Sequence, residues 1–232
     1  MNWITRCRRQ LFIFAVIVVV PRLLSADPGG APFWPDTGTG RLAALALVQT
    51  FNAELLASRS ATLVLERWCR DYRLAAEPRI VAERARGEDK APDAEQLQRL
   101  GVASAAELKY RRVRLKCGGR VLSEADNWYV PARLTAEMNR LLDTTDIPFG
   151  KAVAPLEPYR RTYSARLLWS PLPENWAVAG RTEPPARSPA GLAVPAGLLE
   201  HRAVLYTRDN LPFSEVHEVY QRDVLGFAPR LP

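Results

Sequence analysis

The sequence predicts an α+β fold, a single antiparallel β-sheet with flanking helices. Three observations carry this. Tyr110–Pro131 and His201–Tyr220 each read as two extended runs joined by a short turn, Gly118-Gly119 in the first and Asp209-Asn210 in the second. Val113, Leu115 and Cys117 alternate with Arg112, Arg114 and Lys116, the period of two that marks a half-buried strand. Segments of helical period separate the strand runs, which with tight hairpin turns argues against a parallel α/β arrangement.

The chain opens with the three parts of a secretory signal. Arg6, Arg8 and Arg9 form a positive region, Leu11–Val20 is an unbroken apolar run, and Leu24-Ser25-Ala26 offers a cleavage site. Ten apolar residues fall short of the roughly 20 that span a bilayer as a helix. Residues 1–26 are therefore expected to be a signal peptide and the protein to be exported, periplasmic or secreted. An uncleaved N-terminal anchor is the one membrane association the sequence allows. Residues 27–40, rich in Pro and Gly, read as a linker, and residues 41–232 as one domain.

Within that domain Leu45, Val48, Phe51 and Leu55 are spaced for one face of a helix over 41–57. A second helix starts after Ser60 or Thr62, a strand covers 79–84, and 85–95 is a polar loop. Leu134, Met138, Leu141 and Leu142 fit a short amphipathic helix, and 162–169 a further strand. Residues 171–198, rich in Pro, Ala and Gly, form a long irregular connection of the kind that covers a site or is an insertion.

Composition excludes some partners. The net charge of +7 falls to +3 without the four arginines of residues 1–26, and the remaining charges are interspersed. No basic stripe suited to nucleic acid is present. Cys69 and Cys117 pair in an oxidising compartment or remain buried thiols; each continues an apolar face, which favours buried thiols. His201 and His217 are the only histidines; His217 and Glu215 lack a third metal ligand, so no metal is expected. Gly38-Thr39-Gly40-Arg41-Leu42-Ala43 imitates a dinucleotide fingerprint, but no strand precedes it and no βαβ unit follows. Arg112, whose planar fork suits a carboxylate, and Glu215, among apolar neighbours, remain as candidate binding groups.

These residues resemble chorismate lyase, which eliminates pyruvate from chorismate to give 4-hydroxybenzoate. The likeness runs in order from Ser60 to Tyr220: SATLVLE at 60–66, Arg112 five residues before Cys117, Val130-Pro131, the Ile147-Pro148-Phe149-Gly150 turn, and Pro212-Phe213-Ser214-Glu215. The resemblance implies a cofactor-free lyase. Arg112 would hold the ring carboxylate, Glu215 would face the ring hydroxyl, the Phe149 amide would be a further donor, and Ala61 would line the pocket. Where the family has Gly-Arg-Thr or Ala-Arg-Thr, this chain has Asp126-Asn127-Trp128. The last hairpin is also similar to the effector-binding (UTRA) domain of GntR-type regulators, which binds small ligands without catalysis. The alternative expectation is thus an exported protein, non-catalytic or differently catalytic, that binds a small aromatic or carboxylate ligand. The sequence leaves the oligomeric state open.

Overall fold

A computed structural model describes residues 34–85, 87–178 and 191–229. The expected signal peptide and the first half of the linker lie outside the described residues. The remaining elements are α1 (Gly38–Ala57), α2 (Ala61–Asp71), β1 (Ile80–Arg84), α3 (Ala94–Leu100), β2 (Lys109–Cys117), β3 (Arg120–Tyr129), α4 (Ala136–Thr144), α5 (Phe149–Ala152), β4 (Tyr159–Leu167), β5 (Gly197–Tyr206) and β6 (Pro212–Gln221). The six strands form one antiparallel sheet in the order β1-β2-β3-β6-β5-β4. The α+β expectation holds, and the two hairpins meet edge to edge, β3 beside β6.

Local chemistry explains the boundaries. Thr37 caps α1, its hydroxyl accepting from the Gly40 amide, so residues 38–40 are helix rather than linker. Ser60 caps α2 by accepting from the Leu63 amide, and Thr135 caps α4 by accepting from Met138. The polar stretch expected as loop does end in one, but a capping box of Asp93 and Gln96 then starts α3, which hydrophobic period did not reveal in seven residues. Gly118 takes φ +56° in the β2–β3 turn, as the turn requires, and Asn210 takes φ +62° in the β5–β6 turn. The expected irregular connection is shortened at its end, because β5 begins at Gly197; its residues 179–190 lie outside the described residues.

The sheet has two unlike faces. Pairing places Val113, Ala125, Glu218, His201 and Ala165 in one row across five strands, so these side chains share a face. On that inner face α1 and α2 pack Val48, Phe51, Leu55, Val64, Leu65 and Trp68 against Leu115, Leu122, Leu199 and Tyr220. Beside it α4 and α5 contribute Met138, Leu142 and Phe149 to a second cluster with Tyr129, Leu205 and Val216. Among the described helices only α3 lies on the outer face, where its Leu100 packs on Trp128 and Val204. The buried indoles keep their N–H groups satisfied, Trp34 donating to Leu225 O (3.0 Å) and Trp68 to Val224 O (2.8 Å).

Cys69 of α2 and Cys117 of β2 are joined in a disulfide, with Cα atoms 6.2 Å apart. This corrects the expectation of two buried thiols. The apolar faces were read correctly, and both residues are fully buried, but the two faces are the ones that pack against each other.

Candidate functional site

A cavity of about 60 Å³ lies between the inner face of the sheet and the starts of α2 and α5. Its helical wall is Arg59, Ser60, Ala61 and Thr62 together with Phe149 and Gly150. Gly150 permits the close approach of these two helices, since a Cβ there would stand 3.1 Å from both Ser60 Oγ and Thr62 Oγ1. The sheet floor is apolar in the middle, with Val113, Leu115, Ala125 and Val216, and polar around it, with Arg111, Asn127, Arg160 and Glu218.

Arg111 is the unusual group. It is 3% exposed, yet among the described residues it makes no ion pair. Its Nη2 donates to Ile147 O (3.1 Å), and its buried Nε has no partner. Burial, helped by the nearby Arg84 charge, pushes the guanidinium down to about 10. At neutral pH it remains a cation in a poorly solvating place, with no ion-pair partner among the described residues and only the more distant Asp143 and Asp146 charges to favour it. A buried charge of this kind is stabilised by an anion of suitable shape, and a guanidinium suits a carboxylate.

Arg160 differs. Its side chain is 4% exposed, and its Nη1 donates to Glu218 Oε2 at 2.6 Å. Burial works against its charge, but Glu218 and Tyr220 together outweigh this and hold the guanidinium above its ordinary value. Its buried Nη2 nevertheless lacks a partner. Glu218 also accepts from Tyr220 OH (3.0 Å). The Tyr220 ring meets His201 edge-on at 5.5 Å, and His201 Nε2 is 2.7 Å from Asn52 Oδ1 of α1. Burial and the Arg160 charge push His201 down to about 4, so it is neutral at pH 7.

The structure divides the four residues singled out from sequence. Ala61 and Phe149 line the cavity. Arg112 and Glu215 stand on the outer face, where neither reaches it. Arg112 is 43% exposed on its side chain and lies 3.5 Å from Glu124 and 3.8 Å from Asp126. Glu215 is buried but fully engaged: Arg99 of α3 donates to it from Nε (2.8 Å) and Nη2 (3.0 Å), and Tyr163 OH from 2.7 Å. That cluster anchors α3 to the sheet. The residues on the cavity side are Arg111, Arg160 and Glu218, and sequence reasoning passed over them. Two were signalled, since Arg111 is in phase with Val113 and Leu115, and Glu218 with Val216 and Tyr220. A charge in phase with a buried apolar stripe is rarer than one opposite it. Asn127, where the chorismate lyase pattern has arginine, also lines the cavity and accepts from Ser214 Oγ at 2.6 Å.

Among the described residues no group of three or more His, Cys, Asp or Glu is placed to hold a metal ion. No helix of the described residues is long and apolar enough to cross a membrane.

No family model matches the chain. It is 50% identical over 221 residues, 94% of this chain and 92% of the other, to the "Uncharacterized protein y4mC" of Sinorhizobium fredii (strain NBRC 101917 / NGR234). The chain belongs to the y4mC family. Solved structures similar to this member include PhnF from Mycobacterium smegmatis, at a TM-score of 0.41 and 14% identity, covering 66% of this chain and 63% of PhnF. The effector domain of PhnF gives 0.40 at 12% identity over 62% and 82%, and the C-terminal domain of Yurk from Bacillus subtilis gives 0.39 at 8% over 61% and 90%. Similarities this low assign the y4mC family no function.

Proposed function

We propose that this protein binds a small carboxylate ligand in the cavity beneath α2 and α5, with Arg111 as its anchor. One observation carries the reading: a guanidinium 3% exposed, without an ion pair among the described residues, beside the apolar floor of the cavity. A guanidinium kept in this state for structure alone would be unfavourable, because replacing it by an apolar side chain would remove the desolvation penalty. A carboxylate supplies the missing charge and accepts from Nε. Calorimetric titration with short-chain carboxylates tests this. Binding that Arg111→Met abolishes is expected; unchanged binding in that variant sinks the assignment.

Elimination of pyruvate from chorismate is the second reading. It is favoured by Ala61 and Phe149, both on the cavity wall as the resemblance implies. In that reaction the ether bond to the enolpyruvyl group breaks, the proton the ring loses ends on the departing enolpyruvate to give pyruvate, and the ring becomes aromatic, so orientation and charge stabilisation suffice. The anion-holding role would fall to Arg111 rather than Arg112. Incubation with chorismate and assay for 4-hydroxybenzoate and pyruvate decides. No product above the uncatalysed background, from folded protein, removes the lyase.

Export is part of the same proposal. The Cys69–Cys117 disulfide supports it, because such bonds persist in oxidising compartments. A reporter active only outside the cytoplasm, fused after residue 40, is expected to be active; silence removes the export reading.

A further inference from the structure

We infer that the cavity has a second, charge-neutral pole at Arg160, so that its ligand is a short-chain acid carrying an uncharged acceptor oxygen, an oxo acid above all. The inference rests on the carboxylate reading of Arg111 and adds the chemistry of the ligand's other end. Arg160 enters the cavity from β4, and its guanidinium is held at Glu218 on β6, two strands away from Arg111 on β2. The ligand therefore meets one donor at each end, across Val113, Ala125 and Val216.

The two donors differ in what they accept. Arg111 brings an uncompensated charge. The charge of Arg160 is matched by Glu218 at 2.6 Å, with Tyr220 OH on the same carboxylate oxygen. What Arg160 still lacks is one hydrogen bond, at its buried Nη2. A carbonyl oxygen supplies that bond without adding charge. A second carboxylate at Nη2 would be brought beside the Glu218 carboxylate, and like charges in a poorly solvated place repel strongly. A plain alkyl chain would leave Nη2 unpaired, and a buried donor without a partner is unfavourable.

Calorimetry on the full chain with pentanoate, 4-oxopentanoate and glutarate separates these classes. The 4-oxo acid is expected to bind about tenfold more tightly than pentanoate, as one hydrogen bond from a charged donor warrants. Glutarate is expected to bind more weakly than the 4-oxo acid. Arg160→Lys keeps a cation for Glu218 but loses the forked Nη2. In that variant the preference for the oxo acid should fall to near unity. Equal binding of pentanoate and 4-oxopentanoate by the unaltered chain, glutarate as the tightest ligand, or an undiminished preference in Arg160→Lys would each overturn the second pole. In all three cases the carboxylate site at Arg111 survives. Failure of all three acids to bind would overturn that site and the second pole together.

Discussion

Arg111→Met should make the protein more stable while removing its ligand. Burial, with the nearby Arg84 charge, lowers the guanidinium well below its ordinary value, to about 10. At about 1.4 kcal/mol per pH unit, roughly 3 kcal/mol opposes the charged form in the folded ligand-free protein. Methionine has similar length, no charge and the flexibility to fill the space above Val113. The loss is one hydrogen bond to Ile147 O (3.1 Å), a net contribution of about 1 kcal/mol. The difference leaves the variant more stable by about 1–2 kcal/mol, where most substitutions of a buried residue destabilise. In a chain of this size that raises Tm by roughly 2–8 °C. Thermal and urea unfolding at pH 7 without ligand measure the effect, and calorimetry with 4-oxopentanoate measures the lost binding. The pH dependence has a definite sign. Above about pH 10 the folded protein has shed the proton that the unfolded chain still holds, so unaltered protein should gain stability relative to the variant as pH rises beyond 10. A Tm that falls in Arg111→Met would refute the claim that this guanidinium is uncompensated.

Other outcomes follow from the same structure. His201 is pushed down to about 4 from 6.5, so the unfolded chain takes up the proton first; stability should fall by on the order of 3 kcal/mol as pH drops from 6.5 to 4. His201→Gln should flatten that part of a urea-midpoint profile, and an unaltered slope would assign the loss elsewhere. Reduction of Cys69–Cys117, which closes a loop of sequence separation 48, should lower stability by about 2–4 kcal/mol in unfolding with and without dithiothreitol. Glu215→Gln should cost about 1–3 kcal/mol by weakening the Arg99 and Tyr163 contacts, yet leave carboxylate affinity unchanged. Arg112→Ala should change stability by less than about 1 kcal/mol, as exposed ion pairs do, and affinity not at all. Lost binding in either variant would move the site to the outer face.

The strands and most helices were legible because their signals are local. Alternation at Val113, Leu115 and Cys117, the helical spacing of Val48, Phe51 and Leu55, and the Ser60 cap each lie within one turn or one strand. Helix α3 escaped because two turns of polar sequence carry too few apolar residues to show a period, and only its capping box marks it. The site was legible in part. Ala61 and Phe149 came from resemblance alone, while Arg111 and Glu218 could be read as charges out of place on a buried face. Arg160 could not, because β4 is an edge strand whose residues show weak alternation.

By itself, then, the sequence determined the class of fold, the hairpin turns and the alternating faces of β2, since period and turn chemistry act between near neighbours. Tertiary structure alone decided which charges are paired. Arg111 and Arg112 are adjacent and chemically identical, yet one is 3% exposed beside a cavity and the other stands in water near Glu124 and Asp126. The pleat turns successive side chains to opposite faces, but only the packing of α1, α2, α4 and α5 makes one of those faces an interior. The same packing brings Cys69 to Cys117 and closes the cavity over Arg111 and Arg160, contacts between residues far apart in the chain that no local pattern encodes.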